Sequence, residues 1–246
     1  MKKTFSAAII VFAVYLFIGN KASGQIGNPG LMYQGAFNNA MFLTTKSAIE
    51  RGMKTAAIHD YRKSYPSADV VSGMNFVSSA KVQDKVLNLI ATIAANGDKN
   101  KAIVAAKTIR NANFIEYFDG LLKPYGFNRH NVSDVFTAFI ILSWQAINGK
   151  DVGKYREGIE LFRKQIHSAV DNNKNLQELT NDQKQEISEI LSYMAVFFTY
   201  ACQDHAKKGD TVSLAATRQN IREAVIRVSG IDLTKYTVNN NGLVEK

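Results

Sequence analysis

The chain has 246 residues, 30 Lys and Arg against 21 Asp and Glu, a net charge of +9, one Cys and three Pro. Its 46% apolar content excludes a disordered polyelectrolyte. The single Cys excludes an internal disulfide framework and any Cys-rich zinc or iron–sulfur site, and three prolines without a Gly-X-Y period exclude a collagen-like chain.

Residues 1–24 have the pattern of a secretory signal peptide. Lys2 and Lys3 precede an uncharged apolar run from Ala7 to Ile18, and Ala22, Ser23 and Gly24 supply small residues before Gln25. The run is shorter than the ~20 residues a spanning helix needs. Removal of this segment leaves 27 basic against 21 acidic residues, a net charge of +6. The expected destination is the periplasm or the extracellular space. No later stretch is long and apolar enough to span a bilayer, so a soluble exported protein is expected.

Residues 25–39 are rich in Gly, Asn and Gln and read as a flexible lead-in. Helical periodicity then starts at Ala40, with Phe42, Ile49, Met53, Ala56 and Ala57 near one face, and Pro66 ends that element by Tyr65. A turn-rich connection covers residues 67–76. The next helix runs from Ser78 to a stop at Asn96-Gly97, with Val82, Val86, Leu89, Ile90 and Ile93 inward. Residues 99–110 and 113–122 read as two short helices or one broken helix.

Pro124 and Gly126 impose a sharp break. Asn131 then caps the clearest helix, and Asp134 sets a carboxylate on its positive end. Apolar residues from Val132 to Ile147 cover more than one face, which predicts a central position. Residues 151–170 carry one stripe of Tyr155, Ile159, Phe162, Ile166 and Ala169. Thr180 and Gln183 form a capping-box signature for a long helix that Gly209 stops. Asp210 or Thr211 caps a last helix, and residues 231–246 form a C-terminal tail or a small hairpin around Asn239-Asn-Asn-Gly242. The sum is an all-α, single-domain multi-helix bundle over residues 40–230.

The chemistry-bearing residues are sparse. His59, His130, His167 and His205 form no His-Glu-x-x-His pair, and no P-loop, dinucleotide fingerprint or nucleophile elbow occurs. Cys202 and His205 share a helix face, but they lack an orienting group and an oxyanion site, so Cys202 reads as a buried core residue. Glu116 with Asp119, and Glu186 with Glu189, have a spacing that more often marks a solvated helix face than an acid–base pair. Arg218, Arg222, Lys207 and Lys208 read as a solvated basic stripe. Asn131-Val-Ser133 matches a glycosylation sequon that competes with the capping role of Asn131.

The Pro124-Tyr-Gly-Phe127 turn, the Asn131-Val-Ser-Asp134 helix start and Trp144 resemble an uncharacterised family of exported helical bacterial proteins, a domain of unknown function. Asp232-Leu-Thr234 and Gly242-Leu243 match that family's ending, so the likeness covers roughly residues 70–243. Phe127 stands where the family carries Leu, and Ser133 where it carries Ala. The resemblance implies a helical exported domain and carries no activity.

The expected function is therefore a non-enzymatic binding or interaction module, with an envelope component or another protein as partner and no nucleic acid. An envelope-directed hydrolase and a structural subunit of a surface assembly are the alternatives. The expected site gathers Tyr125, Asn131, Asp134 and Trp144, where a Pro-Gly turn meets a helix N-terminus whose free amides suit an anion. No metal and no cofactor is expected.

Overall fold

The computed structural model describes residues 73–95 and 98–246. The expected leader, the lead-in, the first predicted helix and the Asn96-Gly97 stop lie outside the described residues. Seven helices of two turns or more carry the fold: α1 (Ala80–Ala94), α2 (Lys99–Asn111), α3 (Phe114–Leu122), α4 (Val132–Asn148), α5 (Arg156–Asp171), α6 (Asn181–Lys208) and α7 (Thr211–Ser229). A one-turn helix spans Lys174–Gln177, and a two-stranded hairpin, β1 (Tyr236–Asn239) and β2 (Gly242–Glu245), closes the chain. The fold is all-α apart from that hairpin.

The capping signals act where the sequence puts them. Asn131 Oδ1 accepts from the amides of Ser133 at 3.0 Å and Asp134 at 3.1 Å, satisfying two of the helix's orphan donors. Thr180 and Gln183 exchange the reciprocal bonds of a capping box at the head of α6. Gly209 ends α6 at φ +69°, a conformation open to glycine at little cost. Asp210 then caps α7 by accepting from the Ser213 amide at 2.9 Å.

Helices α4 and α6 form the central pair. Fourteen residues of α4 are buried, from Val132 to Ile147, which is why its apolar positions run round the helix instead of along one stripe. Around the pair, α3 and α1 lie on α6, α7 lies on both, and α5 covers α4. Phe118, Phe136, Phe139 and Phe162 are fully buried in the shared core. Helix α2 is peripheral and packs on α1; Ile109 is its one buried residue.

One segment is more structural than expected, and one open alternative is resolved. The expected 67–76 connection is structural over its described end. Met74 is fully buried, its carbonyl accepts from the Val132 amide at 3.2 Å, and the Phe76 amide donates to the His130 carbonyl at 3.0 Å. Of the tail and the hairpin expected for residues 231–246, the hairpin forms. Ile231, Leu233, Val238 and Leu243 are buried, and Val238 pairs with Leu243 in the hairpin register. The hairpin seats on α5 so closely that a Cβ at Gly158 would run into the Asn239 carbonyl. The Asn-rich turn makes the hairpin legible in the sequence, but not its burial, because the surface that covers it belongs to a distant helix.

Candidate functional site

The loop from Gly126 to Asn131 joins α3 to α4 and has a polar cluster on each side. The first is built on Asp134, which is 1% exposed in the first turn of α4. Its Oδ1 accepts from Arg163 Nε at 2.6 Å and from His167 Nε2 at 2.6 Å. Its Oδ2 accepts from Arg163 Nη2 at 2.8 Å and from the Asn128 amide at 2.7 Å. Burial pushes this carboxyl up, but the His167, Arg163 and Asn128 hydrogen bonds outweigh it and hold Asp134 below the usual carboxylate range. The Arg163 guanidinium also lies 4.9 Å over the Phe127 ring and reaches Glu160 at 3.4 Å. A bidentate Arg–carboxylate pair at the head of a helix is a strong fastening.

The four residues expected to form a site are placed as follows. Asn131 and Asp134 meet, and the Asn131 side chain is spent: Oδ1 caps the helix, and Nδ2 donates to Asn75 Oδ1 at 2.7 Å. That amide, 5% exposed, is also closed to glycan attachment in the folded protein. Tyr125 joins the cluster indirectly, its ring 5.9 Å from Phe127. Burial and nearby Asp151 push its phenol above the ordinary value. Trp144 stands apart, three turns along α4 at roughly 15 Å. Its Nε1 donates to the Tyr236 carbonyl at 2.9 Å and ties the hairpin to the core. The expected constellation is thus not one site. Arg163 and His167 were missed, because only their i, i+4 spacing on α5 hints that they share a target.

The second cluster lies across the loop, where α3 and the α1 head meet α6. Arg129 Nε contacts Asp119 Oδ2 at 3.1 Å, and the His130 ring sits edge-on to Phe76, 5.6 Å between centroids. On α6, Gln185 holds the head of α1 through the Ser79 amide and carbonyl, at 2.8 and 2.9 Å. The same Gln185 Nε2 donates to Glu189 Oε1 at 2.7 Å. Glu189 is 8% exposed and Tyr193, one turn on, is 7% exposed. Among the described residues the second Glu189 oxygen and the Tyr193 hydroxyl have no hydrogen-bond partner.

The electrostatics here differ from those at Asp134. Burial raises the Glu189 carboxyl, against the Gln185 bond and the positive charge of Arg129. Burial also raises Asp119 against the pull of Arg129 and His130. Burial and the Arg129 charge lower His130. The Tyr193 phenol is pushed up to about 12 by burial, with the Glu189 charge adding to it. Glu189 therefore departs from the expected solvated pair: Glu186 meets Lys85 at 2.6 Å, whereas Glu189 turns inward. Free acceptor and donor atoms one turn apart suit recognition of a neutral, hydrogen-bonding group.

Elsewhere, Cys202 is buried and its thiol is pushed up to about 11 by burial, the reverse of an activated nucleophile. His205 faces Asp210 at 3.9 Å. The basic stripe is partly tied down, with Arg222 bidentate to Asp232 at 2.9 and 2.6 Å and Arg218 Nε donating to the Ala146 carbonyl at 3.2 Å. No group of three or more His, Cys, Asp or Glu among the described residues is placed to hold a metal ion. No helix among them is long and apolar enough to cross a membrane.

Fold and clusters together define an all-helical protein with one self-satisfied ion cluster and one polar cluster that keeps free donor and acceptor atoms among the described residues. The chain belongs to a family of unknown function (DUF6683), whose model matches residues 3–246. No curated protein and no solved structure matches it.

Proposed function

We propose that the protein is an exported, non-enzymatic helical binding module, and that its ligand is held at Glu189 and Tyr193, on the side of α6 where Arg129 acts on Glu189. The observation that carries this reading is the state of those two side chains. Both side chains are more than nine-tenths buried, and each keeps a polar atom without a partner among the described residues. The buried side-chain atoms without a partner among the described residues are the Ser133, Ser143 and Ser188 hydroxyls, so the Glu189 oxygen and the Tyr193 hydroxyl reach solvent from otherwise buried side chains, which leaves them open to a ligand that exchanges for water. The ligand contemplated is an envelope component or a protein that offers neutral donors and acceptors. Asp134, Asn131 and Trp144 are fully employed in holding the fold and are not part of this site.

One observation favours the hydrolase alternative. Asp119 and Glu189 are both raised above ordinary carboxyl values near one arginine, and paired carboxyls with shifted proton affinities are what general acid–base chemistry uses. Incubation of the purified chain with insoluble wall polymer separates the two. The module is expected to sediment with the polymer and release no soluble fragments, with retention weakened by Glu189→Gln and Tyr193→Phe. Release of fragments that Glu189→Gln abolishes establishes the enzyme instead. Polymer left unbound and intact removes the wall polymer as ligand.

A further inference from the structure

Helix α2 is the least embedded of the seven, and its outward side has an unusual composition. Ile103 is 70% exposed and Val104 66% exposed, adjacent in sequence and on either side of Lys107 on the outer arc. Single exposed apolar residues are ordinary, but a neighbouring pair in a basic ring is a contiguous feature. The helix contains Lys99, Lys101, Lys107 and Arg110 and no acidic residue. Lys101 meets Asp98 at 3.7 Å and Arg110 meets Asp84 at 2.7 Å. Lys99 and Lys107 have no ion pair among the described residues. The 13 residues give a flat basic strip roughly 20 Å long.

Charge decides what covers this strip. A second copy of the chain presenting the same helix brings the uncompensated charges of Lys99 and Lys107, while its Asp98 and Asp84 are already paired with Lys101 and Arg110, so the net sign is unfavourable. The stretch from Ala40 to Tyr65 of this same chain has five basic residues against two acidic ones, so it too is of the wrong sign. A complementary partner is anionic and has an apolar layer beneath its charges to receive two aliphatic side chains. A phospholipid surface meets both requirements. We infer that the outer face of α2 docks on a lipid bilayer carrying anionic phospholipids, with Ile103 and Val104 at the headgroup–acyl boundary and Lys99, Lys101 and Lys107 on the phosphates.

The test places an environment-sensitive fluorophore on the full-length Val104→Cys protein. Brief labelling at neutral pH is selective, because Cys202 is buried and poorly reactive. Vesicles of phosphatidylcholine with phosphatidylglycerol are expected to shift the emission to the blue. Phosphatidylcholine alone, or the mixed vesicles in high salt, give little or no shift. Lys99→Glu with Lys107→Glu weakens the apparent affinity about tenfold or more, as expected for lysines near an anionic surface. A label on Glu157→Cys, exposed on α5, stays in water throughout. The inference is overturned if position 104 shows no shift on the mixed vesicles, since attachment through the apolar run at residues 7–18 leaves this label in water. An equal shift on phosphatidylcholine overturns it too. So does a shift that grows with protein concentration in the absence of lipid, which means a second copy covers the face.

Discussion

The two sides of the Gly126–Asn131 loop carry similar side chains in opposite states. On one side Asp134, Arg163 and His167 answer one another, and both oxygens of the carboxylate accept two hydrogen bonds. On the other, Arg129 is shared between the fields of Asp119 and Glu189, and Glu189 and Tyr193 end in atoms with no partner among the described residues. The difference teaches that burial of charge alone does not mark a site. A cluster whose members satisfy each other is a fastening, whereas a cluster with accessible polar atoms to spare retains the capacity to bind.

The sharpest blow to this contrast falls on Asp134. Asp134→Asn removes the buried charge that balances the half-buried Arg163 head, and loss of one partner of a largely buried pair is costly. The expected loss is about 3 kcal/mol in chemical denaturation. A loss under about 1 kcal/mol, the range of an exposed ion pair, shows that the cluster is not a fastening. The pH dependence has a definite sign. The folded Asp134 value lies below the unfolded ~3.9, so its contribution is present above that pH and drains away as pH falls through the folded value.

Asn131→Ala probes the same side with a smaller effect. It removes the cap on two amides and the tie to Asn75, for an expected about 1–2 kcal/mol. Thermal unfolding reads it, and an unchanged midpoint argues that water replaces the cap without loss.

On the open side the sign reverses. Glu189 is raised when folded, so its contribution is fully present below the unfolded ~4.3 and is lost as pH rises through the folded value. Glu189→Gln is therefore expected to stabilise the protein at pH 7 and to lose that advantage near pH 4. Denaturation at both pH values checks it. A destabilised variant at pH 7 means the ionised carboxylate has a structural partner, and the two sides are then alike.

What the sequence reveals of these regions follows the range of the interactions. The Asn131 cap, the Thr180–Gln183 box and the Gly209 stop are local, and each is legible from residues a few positions apart. The central place of α4 is legible too, because a helix covered on several faces is apolar on several faces. Arg163 and His167 lie 29 and 33 residues from Asp134 and belong to the polar side of an otherwise ordinary amphipathic helix. Nothing local assigns them a partner. Helix α6 misleads for a different reason. It is enclosed by α1, α3, α4 and α7, so Gln185, Ser188, Glu189 and Ser192 are buried although they look like a solvent face. Polar residues there are buried by neighbours that arrive from elsewhere in the chain.

The smallest effect is the most discriminating. A buried tyrosine hydroxyl normally has a partner, and its removal then costs the lost bond and leaves that partner unpaired. Tyr193 is 7% exposed and its ring packs on Phe197 at 6.0 Å, but its hydroxyl donates to nothing among the described residues and is not one of the buried atoms without a partner, so it reaches solvent. Tyr193→Phe keeps the ring and its packing and removes only the idle group. Stability is expected to change by less than about 0.5 kcal/mol, within the range of a neutral substitution. A loss above about 1 kcal/mol means the hydroxyl is already bonded in the folded protein. The open side of the loop would then be as closed as the side that holds Asp134, and the binding proposal would lose the donor on which it rests.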